Sequence, residues 1–341
     1  MLTTTVLSVL AWMSLSLTAT HRLKTNYAVG LLVTASLIIL VLFVGMILGF
    51  LSLAYYAVIL GAFLEAVLRG WTPRSLKDKL KAKKPTLQGF WNSYLFLYIT
   101  VLVAIIIFLL KVYPDFKFFG WDEFSHWARY TNILVNTSIA PVDNPAVLFP
   151  AYPPGINLWH YYICGPNGYS EWKVVFSHML LAVSAIAFIS TSFDKLKGFG
   201  PIAIFVFGIM LYHAFGTSLY EIYTDCILGL LFGASLLVAR TMAVDGPNKN
   251  NMAIFIILLA VIPLIKPIAI LFCVTACGLF FGLRLIVLLQ NKFKKTKASH
   301  PINGSAIRLG ATLIQTGVYL AASLSTVLAW KIYTSIHSIK D

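Results

Sequence analysis

Acidic side chains are scarce in this sequence: twelve aspartates and glutamates in 341 residues, against 26 lysines and arginines. Charged residues of either sign make up only 11%, while hydrophobic residues reach 59% and the mean hydropathy is +0.83. That balance excludes a soluble domain, which needs far more polar surface. The four cysteines (Cys164, Cys226, Cys273, Cys277) have neither metal-ligand nor disulfide-framework spacing. Cys273 and Cys277 fall four residues apart in an apolar run and read as small buried thiols. The N-terminus lacks the basic start and small-residue cleavage site of a signal peptide, so its apolar run is expected to be retained. No internal repeat, low-complexity tract or soluble domain is visible. A net charge of +14 raises nucleic acid as a partner, but no basic stripe is interleaved with stacking aromatics.

What the chain does have is a succession of apolar runs, each long enough to cross a bilayer as a helix of roughly twenty residues. The runs are continuous rather than alternating, which selects helices over a barrel. The expected fold is therefore an all-α polytopic membrane protein of about ten spans. The first covers residues 2–19. Residues 28–68 are too long for one helix and split near Gly45, Gly49 and Ser52. A basic loop follows, with Arg69, Arg74, Lys77, Lys79, Lys81, Lys83 and Lys84 against Asp78 alone, and marks the cytoplasmic side. Further spans are expected at 91–110, 174–192, 199–215 and 225–238. The run 252–289 breaks at Pro263, Lys266 and Pro267 into two, and a last span covers 309–330. Under this count every strongly basic loop lies on one side. Residues 1–90 then form a three-helix N-terminal part and residues 91–341 the remainder, with a long non-cytoplasmic loop at 111–173.

That loop carries most of the chemistry. Its stretch 115–162 holds Asp122, Glu123 and Asp143, with Glu171 just beyond that stretch. The stretch WDEFSHWARYTNIL reads as a helix along the membrane interface, with Asp122, His126 and Arg129 on one face and Trp121, Phe124 and Trp127 as aromatic anchors. His126 and Arg129 are placed to pair with Asp122. Adjacent helix positions point about 100° apart, so of Asp122 and Glu123 one can face a pocket while the other caps or pairs. A carboxylate near low-dielectric surroundings is a candidate general base. In AYPPGINLWHYY, Pro153 and Pro154 stiffen a turn near Tyr152 and His160. In SLYEIYTDCILGLL, Glu221, Tyr223 and Asp225 cluster, and Asp225 opens an apolar span, as helix-dipole compensation favours. Lys266, an ionisable residue between two prolines in an apolar run, is a functional-site hypothesis by default. It is suited to holding a phosphate.

Taken in order, WDEFSHWARYTNIL, YPPGINL, YEIYTDCILGLL and LIKPIAIL resemble the GT-C superfamily of membrane glycosyltransferases. The likeness is to members similar to the protein O-mannosyltransferases and lipid A aminoarabinose transferases. It covers about residues 91–330 and implies a seven-helix module whose first long loop follows its first span and carries juxtamembrane helices. Two features depart from the family pattern: three spans precede the module, and no C-terminal soluble domain or second bundle follows it. The resemblance implies transfer of a hexose or pentose from a polyprenyl-phosphate carrier to a hydroxyl of a glycan, lipid or protein acceptor, with inversion. The site would face the non-cytoplasmic side of a membrane, expected to be the bacterial inner membrane. Asp122, with Glu123 beside it in the matching acidic motif, would be the catalytic base. Lys266, helped by Arg129 or His126, would stabilise the leaving phosphate. Tyr152, His160, Glu221, Tyr223 and Asp225 complete the expected substrate contacts. No cofactor beyond the lipid-linked donor is implied. Asp122 and Asp225 are the two carboxylates a divalent metal would use, without a further ligand cluster to support it. The competing readings are a transporter or flippase with Lys266 and Asp225 in its pathway, and a non-catalytic subunit of a cell-envelope assembly complex.

Overall fold

The computed structural model describes residues 2–68, 116–193, 200–216, 221–295 and 309–337. Helices dominate, and no strand occurs among the described residues. Three helices open the chain: α1 (Leu2–Leu23), α2 (Tyr27–Ile47) and α3 (Leu51–Leu68). The long apolar run therefore splits where its glycines predict, with Gly49 at φ +79 between α2 and α3. Asn26 caps α2 by accepting from the Val29 N–H at 3.0 Å, which satisfies one orphan donor of the first turn. The expected span 91–110 lies outside the described residues.

A π turn (Glu123–Trp127) leads into α4 (Ala128–Thr137), and α5 (Gly155–Cys164) follows the tandem prolines. The remaining helices are α6 (Glu171–Thr191), α7 (Gly200–Leu211) with a π turn at Tyr212–Gly216, α8 (Thr224–Asp245), α9 (Lys249–Val261), α10 (Ala269–Lys295) and α11 (Leu309–Ile336). A 3₁₀ turn (Ile262–Leu264) and Lys266 separate α9 from α10, so the chain breaks at the prolines as expected. Seven described helices are long and apolar enough to cross a membrane: α1, α2, α3, α6, α8, α10 and α11. The chain is a multi-pass membrane protein. Helices α7 and α9 are apolar but shorter.

The bundle is built around α2 and α6, whose apolar windows are 72% and 89% buried. Helix α2 packs against α1, α3, α5, α6 and α9, and α6 against α2, α5, α7 and α8. The first three helices thus share one core with the rest, although the 1–90 boundary itself lies outside the described residues. Hydroxyls reinforce the join. Ser52 donates to Ser138 at 2.7 Å, Tyr162 donates to the Ser8 carbonyl at 2.9 Å, and Tyr55 bonds Ser8 at 3.0 Å. Cys273 and Cys277 are buried, as read from the sequence.

Following the helix directions, one end of the bundle collects the α2–α3 turn, residues 116–170, the 221–223 segment, the 262–268 turn and the end of α11. The helix ends carrying Arg22, Lys24 and Lys249 lie at the other. Two contacts lock the first end. The Trp330 indole N–H donates to the Ala151 carbonyl at 2.8 Å. Gly155 opens α5 so close to the 3₁₀ turn that a Cβ there would sit 2.5 Å from the Leu264 carbonyl oxygen. Backbone cannot yield as a flexible side chain can, so the glycine of YPPG is set by this approach. Gly155→Ala is expected to destabilise the protein by about 1–3 kcal/mol. Gly61→Ala, in the middle of α3 with nothing near its Cβ, should instead be neutral or stabilising by up to about 1 kcal/mol. Thermal unfolding of both variants in detergent checks the contrast.

Candidate active site

The π turn decides which residues meet. The Ala128 N–H donates to the Glu123 carbonyl, five residues back, which widens the helix by about one residue per turn. The regular i, i+4, i+7 face expected for Asp122, His126 and Arg129 is therefore broken. Asp122 and His126 still share a pocket, but Arg129 is exposed and does not line it. Nor does Arg129 or His126 pair with Asp122, which has no ion-pair or hydrogen-bond partner among the described residues. The expected anchors divide as well. Trp121 and Phe124 are exposed, whereas Trp127 is buried against the His126 ring, centroids 4.2 Å apart.

Asp122 and Glu123 separate as the 100° argument requires. Glu123 is fully buried. Its Oε2 accepts from the Gly120 N–H at 2.9 Å and the Phe119 N–H at 3.3 Å, and its Oε1 accepts from the Ile222 N–H at 3.3 Å. Burial raises its pKa, opposed by those three N–H groups. It is a structural tie between two distant segments, not the group that faces the pocket. Glu171 is structural too, accepting from the Phe118 N–H and pairing with Lys117 at 3.8 Å.

The pocket itself, about 90 Å³, is lined by Asp122, His126, Trp127, Phe149, Tyr152, Tyr223, Thr224, Asp225 and Lys266. Six of the expected site residues thus converge from four segments. Asp225 sits in the first turn of α8, where the helix dipole favours an anion. Lys266 leaves the break between α9 and α10 and donates to Asp225 Oδ1 at 2.6 Å. Tyr223 has its phenol pKa raised, by burial first and then by the neighbouring charge of Asp122. A cleft of about 1030 Å³ adjoins the pocket, lined by residues 142–145 and 147–153, by Pro263, Leu264 and Pro267, and by one face of α11 that includes Thr326, Trp330 and Lys331. Asp143 and Lys331 line this cleft. Phe149 and Tyr152, stacked with centroids 4.9 Å apart, belong to both spaces and form the wall between them.

His160 and Glu221 are not brought to the pocket. Every residue of α5 is buried. His160 points into that core, its Nδ1 3.3 Å from the Thr131 hydroxyl and its ring 5.7 Å from that of His178. Glu221 is half-buried beside Glu123, whose pKa it helps to raise. Thr224 and Phe149 were not marked by the sequence reading. The only local signal for Thr224 was its place before Asp225 at a helix start, and for Phe149 its place before the proline turn. Among the described residues no cluster of three or more His, Cys, Asp or Glu could hold a metal ion. Compared with known proteins, the chain matches no family model, no curated protein and no solved structure.

His126 is 2% exposed, and burial pushes its pKa down to about 4. Burial disfavours the positive charge that the expectation from sequence would have it lend to a phosphate. Between the unfolded value of about 6.5 and about 4, the unfolded chain takes up a proton that the folded chain refuses. Stability therefore falls as pH falls through that window, by up to about 3 kcal/mol. Thermal unfolding between pH 7.5 and 4.5 should show this slope, and His126→Phe should flatten it.

Proposed function

We propose that the chain is a membrane glycosyltransferase that moves a sugar from a polyprenyl-phosphate carrier to an acceptor hydroxyl at the non-cytoplasmic face. The observation that carries this reading is the meeting of Asp122, Asp225 and Lys266 in one pocket, at the bundle end opposite Arg22, Lys24 and Lys249. An unpaired carboxylate and an ammonium lining one pocket, with a large cleft next to it, match the needs of base-assisted displacement of a phosphate. The basic loops supply the sidedness, since cytoplasmic loops of membrane proteins carry the excess of lysine and arginine. Seven long helices, two shorter ones and the expected 91–110 span make up the ten-span, GT-C-like arrangement of this reading.

In the proposed step the acceptor oxygen attacks the anomeric carbon as Asp122 takes its proton. The new C–O bond forms while the bond from the anomeric carbon to the phosphate oxygen breaks, and the electron pair leaves with the phosphate. Attack opposite the leaving group inverts the anomeric centre. Lys266 has three N–H donors, one of which Asp225 occupies. The others stabilise the charge growing on the phosphate. The glycosidase rule of two carboxylates at fixed spacing does not transfer, because a phosphate needs little protonation to leave.

Asp122→Asn preserves shape and removes the base. Transfer from a polyprenyl-phosphate sugar should fall by about 100-fold or more with the unfolding temperature unchanged. Full transfer by that variant would remove Asp122 from the role. Proton- or sodium-coupled uptake into liposomes, with no lipid-linked sugar consumed, would favour a transporter instead.

A further inference from the structure

His126 and Thr224 share a property that the mechanism above does not use. The His126 imidazole is 2% exposed and enclosed by Trp127, Tyr152, Phe149 and Tyr130, with ring centroids at 4.2, 5.0, 5.6 and 6.2 Å. Neither of its ring nitrogens has a hydrogen-bond partner. Thr224 is 1% exposed, and its hydroxyl is likewise without a partner. The two come from segments nearly a hundred residues apart, yet both line the pocket that holds Asp122, Asp225 and Lys266. Buried polar groups in folded proteins are nearly always satisfied, and exceptions call for a ligand, a water or a functional account. Two such exceptions line this one pocket.

We infer that His126 and Thr224 form a hydroxyl-recognition subsite for the sugar of the donor, and that the carrier phosphate is held apart from them at Lys266. The inference rests on the glycosyltransferase reading and adds which part of the substrate these two residues read. The chemistry of the pair selects a group that both gives and accepts a hydrogen bond. A neutral imidazole offers one donor and one acceptor, and a threonine hydroxyl offers a donor and two acceptor lone pairs. A sugar hydroxyl uses both kinds, whereas an ionised phosphate oxygen only accepts and would leave the imidazole acceptor unmet.

Charge gives the same assignment. Asp122 and Asp225 flank the pocket and repel an anion seated deep within it, and Lys266 is its only cation among the described residues. The low pKa of His126 adds support, because the ring stays neutral across physiological pH. A site built to bond a hydroxyl rejects an analogue that lacks it far more strongly than an apolar pocket rejects a missing methylene. His126 and Thr224 are thus specificity-determining residues rather than charge stabilisers.

The test uses the full chain in lipid nanodiscs with two probe classes. One is a set of polyprenyl-phosphate hexoses (mannose, glucose and galactose); the other is the same polyprenyl phosphate without sugar. His126→Phe and Thr224→Val keep shape and remove the hydrogen-bonding groups, and unfolding temperatures confirm that each variant is folded. Each should weaken binding of the preferred sugar-bearing lipid by about tenfold or more and change binding of the bare phosphate by less than about twofold. His126→Gln, which restores a donor and an acceptor, should recover part of the loss. Wild-type binding of the sugar lipid should not strengthen as pH falls from 8 to 6. Variants that bind the sugar-bearing lipid as wild type does would overturn the subsite and assign the pair to ordered water. Equal loss of both probes would overturn it in favour of a phosphate role. A wild-type protein that binds no sugar-bearing lipid would overturn the parent reading and this inference with it. Wild-type transfer with unaffected variants would overturn the subsite alone.

Discussion

The buried carboxylate of Glu123 is the contact on which the site depends. Through one oxygen it holds the Phe119 and Gly120 N–H groups, and through the other it reaches Ile222, 99 residues further along the chain. Removing such a carboxylate would take the partner from three backbone donors, and the buried one at Ile222 would carry the full cost of its desolvation. Because Glu123 faces inward, its neighbour Asp122 faces the pocket. Because Ile222 is anchored, Tyr223, Thr224 and Asp225 arrive at the same place. The ion pair from Asp225 to Lys266 then fixes the third segment, and Gly155 allows the proline turn to close against it.

Much of this was legible in the sequence. Hydropathy located the long helices, because spanning a bilayer demands runs of about twenty apolar residues. Gly49 and the pair Pro263 and Pro267 marked the breaks, since each limits what a helix can continue through. The scarcity of acids drew attention to Asp122 and Asp225, although a membrane-surface charge and a helix-start anion account for each taken alone, and Lys266 stood out as an ionisable residue in an apolar run. Of the divided pair, Asp122 was favoured for the pocket, while Glu123, expected beside it in the catalytic motif, is instead buried as a tie.

What was not legible depends on contacts between distant residues. Arg129 leaves the pocket because a π turn shifts its register, and nothing local in EFSHW separates a π turn from an α turn. His160 reads as a polar residue near a turn, but α5 is buried on every side by helices that the local sequence does not reveal. Lys266 looked like a lone cation until folding brought Asp225 within 2.6 Å. Thr224 carries no sequence signal beyond its place at a helix start, and its importance lies in burial without a partner.

The account's central claim is that the pocket between Asp122 and Lys266 receives a polyprenyl-phosphate sugar. The most direct measurement is a cryo-electron microscopy structure of the full chain in lipid nanodiscs with a polyprenyl-phosphate hexose. The account predicts the lipid phosphate against the Lys266 ammonium, with the anomeric carbon turned toward Asp122. Lipid phosphate bound at the opposite, basic end of the bundle, with the Asp122 pocket holding only water, would contradict it.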